Sequence, residues 1–219
     1  MKPSSVLILT HEEGGEVKLP HLDWLRTSNP GTQIHVIDGP HSPLGKRDNW
    51  KNGDRPLRNW WRRHSTEVRG EVVAVLEWDT LVSCALPDLP DDLDLAGAQI
   101  IHPPDTPARQ LRMRDPRWTD ANWFWWPELT RLGPGPAVGL VSFGCFVMRR
   151  AVLDSVADPR WDAAYALSIQ NELRFPTVAL RSGHAVGTID LPFVRFDDVV
   201  VGSAPGIYHS VDHPFAKSD

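Results

Sequence analysis

The sequence is short of cysteine, with only Cys84 and Cys145 in 219 residues. Two cysteines cannot make a disulfide framework or a zinc cage of their own, so free thiols in a reducing compartment are expected. No apolar run approaches the ~20 residues that span a bilayer, and the amino-terminal run at residues 6–9 is too short for the core of a signal peptide. The expectation is a soluble cytoplasmic protein without a transmembrane segment. Charge of one sign is not in large excess either. A net charge of −5 gives no electrostatic reason to expect nucleic acid or an anionic membrane as partner. There is no repeat, heptad or low-complexity tract. No histidine lies four residues after His11, so His11-Glu12 does not open a zinc-protease motif. Where a Gly-rich, basic phosphate loop would follow the first apolar run, Glu12-Glu13-Gly14-Gly15 is acidic. Gly133-Pro-Gly-Pro136 reads as a bend or hinge rather than a phosphate cradle.

What the chain does contain is organised around Glu71-Val-Val-Ala-Val-Leu-Glu-Trp-Asp-Thr-Leu-Val82. Its apolar, β-branched run at residues 72–76 predicts a strand buried in the middle of a sheet. The run ends on Glu77 and Asp79. If extension continues to Asp79, strand alternation puts both carboxylates on one side and Trp78 on the other. Acids at the carboxyl end of a central strand sit where open α/β sheets bind ligands. A hard divalent cation takes such oxygens, commonly one or two carboxylates together with substrate phosphates. The pattern acid-x-acid is short, and a strand-end turn with solvated acids satisfies it equally well.

The length suits one substantial core, read as a single domain over residues 1–219. Residues 5–10 form a first strand, 19–29 a helix with Pro20 in its first turn, and 33–38 a second strand ending in Asp38. Strand, helix, strand favours a parallel pair with a crossover helix. Residues 41–52 are a polar loop. A helix follows, with Asp54 as cap and Pro56 near its start. Leu57, Trp60, Trp61, His64 and Val68 lie on its inner face, with Arg58, Arg62 and Arg63 toward solvent. Residues 96–102 form a further strand. The Trp-bearing stretch at residues 103–139 either stacks on sugar rings or is a mini-core of its own. Ser142-Phe-Gly-Cys-Phe-Val-Met148 is a strand whose glycine suggests a bulge or a close backbone approach. Helices follow Arg149-Arg150, Asp158-Pro159 and Asn171. The last of these runs to Arg181, with Pro176 tolerable only in its first turn. Residues 185–189 and 206–209 complete the chain with short extended pieces. The fold class is α/β, a mixed and mostly parallel sheet flanked by helices.

Taken as an ordered set, these parts resemble the GT-A fold glycosyltransferases, whose Rossmann-like sheet binds nucleotide-sugar donors. The first strand and the acid-ended second strand match. Glu77-Trp78-Asp79 stands in the place of the family's acid-x-acid motif. Phe143-Gly-Cys-Phe-Val-Met-Arg-Arg150 is similar to its Gly-bearing strand, and Asn171-Glu172 with Phe175–Gly183 to its catalytic-carboxylate segment. Gly206-Ile-Tyr-His209 resembles a carboxyl-terminal histidine segment. Departures are a Glu as the first acid, a single Gly144 for a glycine pair, and no Gln-x-x-Arg-Trp motif, which argues against processive synthesis.

The resemblance implies transfer of a sugar from a nucleoside diphosphate sugar to an unknown acceptor, a glycan or small molecule, assisted by Mn²⁺ or Mg²⁺. Its ligands would be Asp79 first, then Glu77, then His209, and a histidine ligand favours Mn²⁺. Glu77 would alternatively act through water or contact ribose. Thr10, His11, Asp38 and Trp78 would line the nucleotide-sugar crevice, Asp38 accepting from base or ribose. Glu172 would be the general base of an inverting transfer. For Asp38 and Glu172 the plainer alternatives are a turn acid and a helix-start acid. Rival functions are a nucleotidyltransferase and a catalytically degenerate carbohydrate-binding protein.

Overall fold

The computed structural model of the protein describes residues 1–10, 19–38, 52–102, 126–193 and 205–208. The β-branched run is a strand, β3 (Val72–Glu77), and every residue in it is buried. Beside it lie β1 (Ser5–Thr10), β2 (Gln33–Asp38), β5 (Leu95–Ile101), β6 (Gly139–Arg149) and β7 (Val186–Thr188), in the spatial order β2-β1-β3-β6-β5-β7. β1 pairs in parallel with β2 and β3, and β5 with β7, while β6 is antiparallel to both of its neighbours. Five strands therefore point one way and β6 alone points back. That is the mixed, mostly parallel sheet expected from the sequence. A separate two-stranded ribbon joins β4 (Leu81–Val82) to β8 (Ile207–Tyr208).

Alternation along the strands divides the core in two. Leu7, Leu9, Val73, Val75, Phe146 and Met148 pack on one face. There they meet α2 (Asp54–His64), α4 (Arg150–Ala157) and α6 (Asn171–Arg181) through Leu57, Trp61, Val152, Val156, Phe175 and Val178. Val6, Ile8, Val72, Ala74, Leu76 and Val147 pack on the other face, with Leu25 of α1 (Leu19–Ser28) and Ile207. Two smaller helices complete the described set, α3 (Trp126–Leu129) and α5 (Asp162–Ala166). Among the described residues no helix is long and apolar enough to cross a membrane.

The glycine-bearing strand carries the irregularity expected of it. On the β5 side Gly97 pairs with Phe146, yet Gln99 pairs with Val141, so residues 142–145 of β6 stand opposite Ala98 alone. The β3 side keeps its register as far as Cys145 opposite Leu76.

One open alternative is decided and three local expectations are corrected. β3 ends at Glu77, and Trp78-Asp79 form a turn closed by the Thr80 N–H on the Glu77 carbonyl at 3.0 Å. Strand alternation therefore does not extend to Asp79. Pro176 is the sixth residue of α6, outside its first turn. A proline there costs about 3 kcal/mol by withholding an N–H from the carbonyl four residues back. Burial of Leu173, Phe175, Val178 and Ala179 offsets that cost. Finally, Arg58 does not face solvent. It is 5% exposed, bonded to the Val156 carbonyl at 2.9 Å and to Asp162 at 2.6 Å.

Asp54 does not cap α2 either, because its carboxylate is committed to Arg174, 120 residues away. Both side chains are fully buried. Arg174 Nε donates to Asp54 Oδ2 at 2.8 Å, a second contact between Nη2 and Oδ1 closes the fork, and Nη1 donates to the Leu167 carbonyl at 2.7 Å. The Arg174 and Arg58 guanidiniums lie 4.7 and 4.5 Å from the centre of the Tyr165 ring. Burial works against the Arg174 charge, but Asp54 outweighs it and holds the guanidinium above its usual pKa. Removing one partner strands a buried charge. Arg174→Met should therefore cost about 3–5 kcal/mol, and the double variant Asp54→Leu/Arg174→Met much less than the sum of the singles. Urea unfolding of the three variants measures both.

Candidate functional site at the carboxyl edge of the sheet

Parallel pairing in register sets which strand ends meet. Thr10 lies opposite Asp38, and Leu9 opposite Glu77. Thr10, Asp38 and Glu77 thus end three adjacent strands at one edge, in the spatial order Asp38, Thr10, Glu77. Thr10 is buried, and its hydroxyl donates to the Ile37 carbonyl at 3.1 Å. Of the other two residues expected beside them, Trp78 follows Glu77 directly and is 9% exposed. His11 lies outside the described residues, as does His209. Tyr208, the residue before His209, is fully buried and paired with Leu81, two residues beyond Asp79.

The turn that carries the acids is held at three points. Its own Thr80 N–H closes it on Glu77. The Thr80 hydroxyl reaches across to the Gly144 carbonyl at 2.9 Å, within the irregular part of β6. From α1, His21 Nδ1 lies 3.3 Å from the Trp78 carbonyl. Glu77 is buried at 5% exposure, whereas Asp79 is only half-buried. The acid that presents itself most openly is therefore the second of the pair.

Because β6 runs against β3, its first residues extend along the same carboxyl edge. α6 begins beside them. A side-chain carbon on Gly139 would stand 3.1 Å from Leu173 Cδ2 and 3.7 Å from the Glu172 carbonyl, so the glycine admits the first turn of α6 at close range. That turn lacks helical acceptors for its N–H groups, and neighbouring side chains supply them. Asn171 Oδ1 accepts from the Glu172 N–H at 2.9 Å, and Glu128 Oε2 from the Gln170 N–H at 3.0 Å. Arg174, one turn on, is the residue locked to Asp54. Glu172 itself is 4% exposed, which is not the solvated helix-start acid of the plainer alternative.

The donor set is one of hard oxygens. Among the described residues no group of three or more His, Cys, Asp and Glu side chains is arranged to hold a metal ion. Glu77 and Asp79 offer two carboxylates, which fits a cation arriving with phosphates better than a metal caged by protein alone. Soft ligands do not contribute. Cys145 is fully buried, and burial, helped by neighbouring Cys84, pushes its thiol up to about 12. A cavity of about 350 Å³ lined by Lys2, Ser4, Asn29, Thr32 and Leu86 lies at the opposite, amino edge, away from these acids.

Several residues that hold the site in place escape sequence reasoning: His21, Thr80 and the Asp54–Arg174 pair. For His21 a signal existed. A helix entered from the carboxyl end of β1 begins at that edge, so a histidine in its first turn lies there by topology. For Arg174 none did, since nothing in the sequence couples it to Asp54.

No protein-family model matches the chain, and no curated protein matches it in sequence. Among solved structures, an active-site mutant of LgtC is similar at 13% identity and a TM-score of 0.46, over 94% of this chain and 86% of that one. The galactosyltransferase LgtC in complex with donor and acceptor sugar analogs is similar at 13% identity and a TM-score of 0.45, with the same coverage. The apo form of mouse xyloside xylosyltransferase 1 is similar at 11% identity and 0.40, over 95% and 97% of the two chains. Scores below 0.5 at such identities leave the function to be read from the site itself.

Proposed function

We propose that the protein is a GT-A-type, non-processive glycosyltransferase that moves a hexosyl group from a nucleoside diphosphate sugar to a hydroxyl of a glycan or small molecule. One observation carries this reading. Thr10, Asp38 and Glu77 end three adjacent strands at one edge, and the buried Glu172 begins α6 beside the irregular, antiparallel β6 at that same edge. In this reading a donor side and an acceptor side share one edge, the carboxyl edge at which open α/β sheets bind nucleotides.

On the donor side, Asp38 suits hydrogen bonds from base or ribose, with Thr10, His11 and Trp78 lining the crevice. Asp79 is the foremost candidate to hold Mn²⁺ or Mg²⁺, followed by Glu77 and His209. The Tyr208–Leu81 pairing supports His209, because it brings the residue before it close to the acid turn. When bound, such an ion supplies Lewis-acid stabilisation of the departing diphosphate. On the acceptor side, in an inverting transfer, the hydroxyl oxygen forms the new bond to the anomeric carbon as the bond to the diphosphate oxygen breaks. The Glu172 carboxylate takes the hydroxyl proton. A cytoplasmic setting accords with the free thiols of Cys84 and Cys145.

The two halves separate by mutation. Asp79→Ala should abolish most metal-dependent nucleotide affinity while leaving the fold intact, because a half-buried acid in a turn adds little to the core. Glu77→Ala should weaken that affinity less. Calorimetric titration of a nucleoside diphosphate with Mn²⁺ reads both, and parental binding by Asp79→Ala would contradict the assignment. Glu172→Gln keeps size and loses charge. It should slow single-turnover transfer by about 10²–10⁴-fold with nucleotide affinity nearly unchanged. Parental turnover would remove Glu172 from the chemistry.

A further inference from the structure

We propose that His21 is a positioning residue for the acid-bearing turn, acting through its δ nitrogen on the Trp78 carbonyl; this rests on the glycosyltransferase reading above only in what the turn binds. The carbonyl oxygen of Trp78 belongs to the peptide unit that joins Trp78 to Asp79. Because that unit is planar, holding the oxygen also sets the direction in which the Asp79 Cα leaves the turn. Thr80 secures the peptide on the Glu77 side and the link to Gly144. The contact from His21, at 3.3 Å, comes from α1, which belongs to neither the sheet nor the turn. It therefore couples the placement of Asp79 to the seating of α1.

The chemistry of the contact fixes the ring's tautomer. A carbonyl oxygen only accepts, so Nδ1 must carry the hydrogen. In the neutral ring the acceptor is then Nε2. At 3% exposure the ring is buried, in the first turn of α1. Loss of a group bonded directly to a metal ligand commonly lowers metal affinity by about 10- to 100-fold; His21 acts through the peptide that precedes Asp79, so the lower end of that range is expected.

Three variants separate the two ring nitrogens. His21→Asn keeps a donor near the δ position and nothing at the ε position. His21→Gln reaches the ε position instead, and His21→Ala has neither. Two readouts apply, amide hydrogen exchange at Asp79 and Thr80 without ligand, and calorimetric affinity for UDP in the presence of Mn²⁺. Urea midpoints identify any variant that fails to fold. Should the Ala variant do so, the Asn and Gln pair still decides. We expect His21→Ala and His21→Gln to speed exchange at these amides and to lower affinity by about tenfold, and His21→Asn to stay close to the parent in both. Parental exchange in all three variants would overturn the proposal. So would a reversed order, with Gln parental and Asn impaired, since Nε2 would then be the nitrogen that matters. If the parent binds no UDP with Mn²⁺, a uridine donor is ruled out and the affinity arm passes to GDP, CDP or TDP; no metal-dependent binding of any of them counts against the proposed function, while the exchange rates still judge His21.

Discussion

β3 is buried on both faces of the sheet, and the architecture follows from that constraint. Val73 and Val75 point into the layer of α2, α4 and α6, while Val72, Ala74 and Leu76 point into the layer beneath α1. A strand with no solvated face can bear polar groups only where the core stops. Glu77, Trp78 and Asp79 are where it stops. The same reasoning places Thr10 and Asp38, because β1 and β2 run parallel to β3 and end at the same level. Packing sets the row of strand ends on which the candidate site is built.

The other half of the site is built by different means. β6 is the one strand that returns, so its beginning rather than its end lies at the carboxyl edge. Its register break opposite Ala98 frees residues 142–145 to meet the Thr80 hydroxyl through the Gly144 carbonyl. α6 starts there because Gly139 leaves room for it, and it is held by a buried ion pair rather than by apolar contact alone. Arg174 and Asp54 tie the first turns of α6 and α2 together, so the helix carrying Glu172 and the helix following β2 share one joint. A buried ion pair is poor value as stabilisation, but it is selective about geometry.

Much of the frame was legible in the sequence. The strands at residues 5–10, 33–38 and 72–77 declare themselves by β-branched, apolar runs, and the glycine in 142–148 signals the irregularity that the register break reveals. Side-chain commitments across long separations were not legible. Asp54 has the composition of a helix cap and Arg58 the composition of a solvated helix face. Each is buried because a partner more than ninety residues away meets it. The sequence leaves extension to Asp79 and a strand-end turn equally open, because local pattern carries no information about the Thr80 N–H closing on Glu77. His21 carries no local signal of its own, although the position of α1 after β1 puts its first turn at the edge.

The central claim is that this edge binds a nucleoside diphosphate through a cation. Calorimetric titration of the unaltered protein with UDP, GDP, CDP and TDP, each with and without Mn²⁺, tests it most directly. The account predicts that one of these nucleotides binds and that its binding requires the metal. Binding of free sugars with no metal-dependent binding of any nucleotide would contradict it and make the protein a carbohydrate binder.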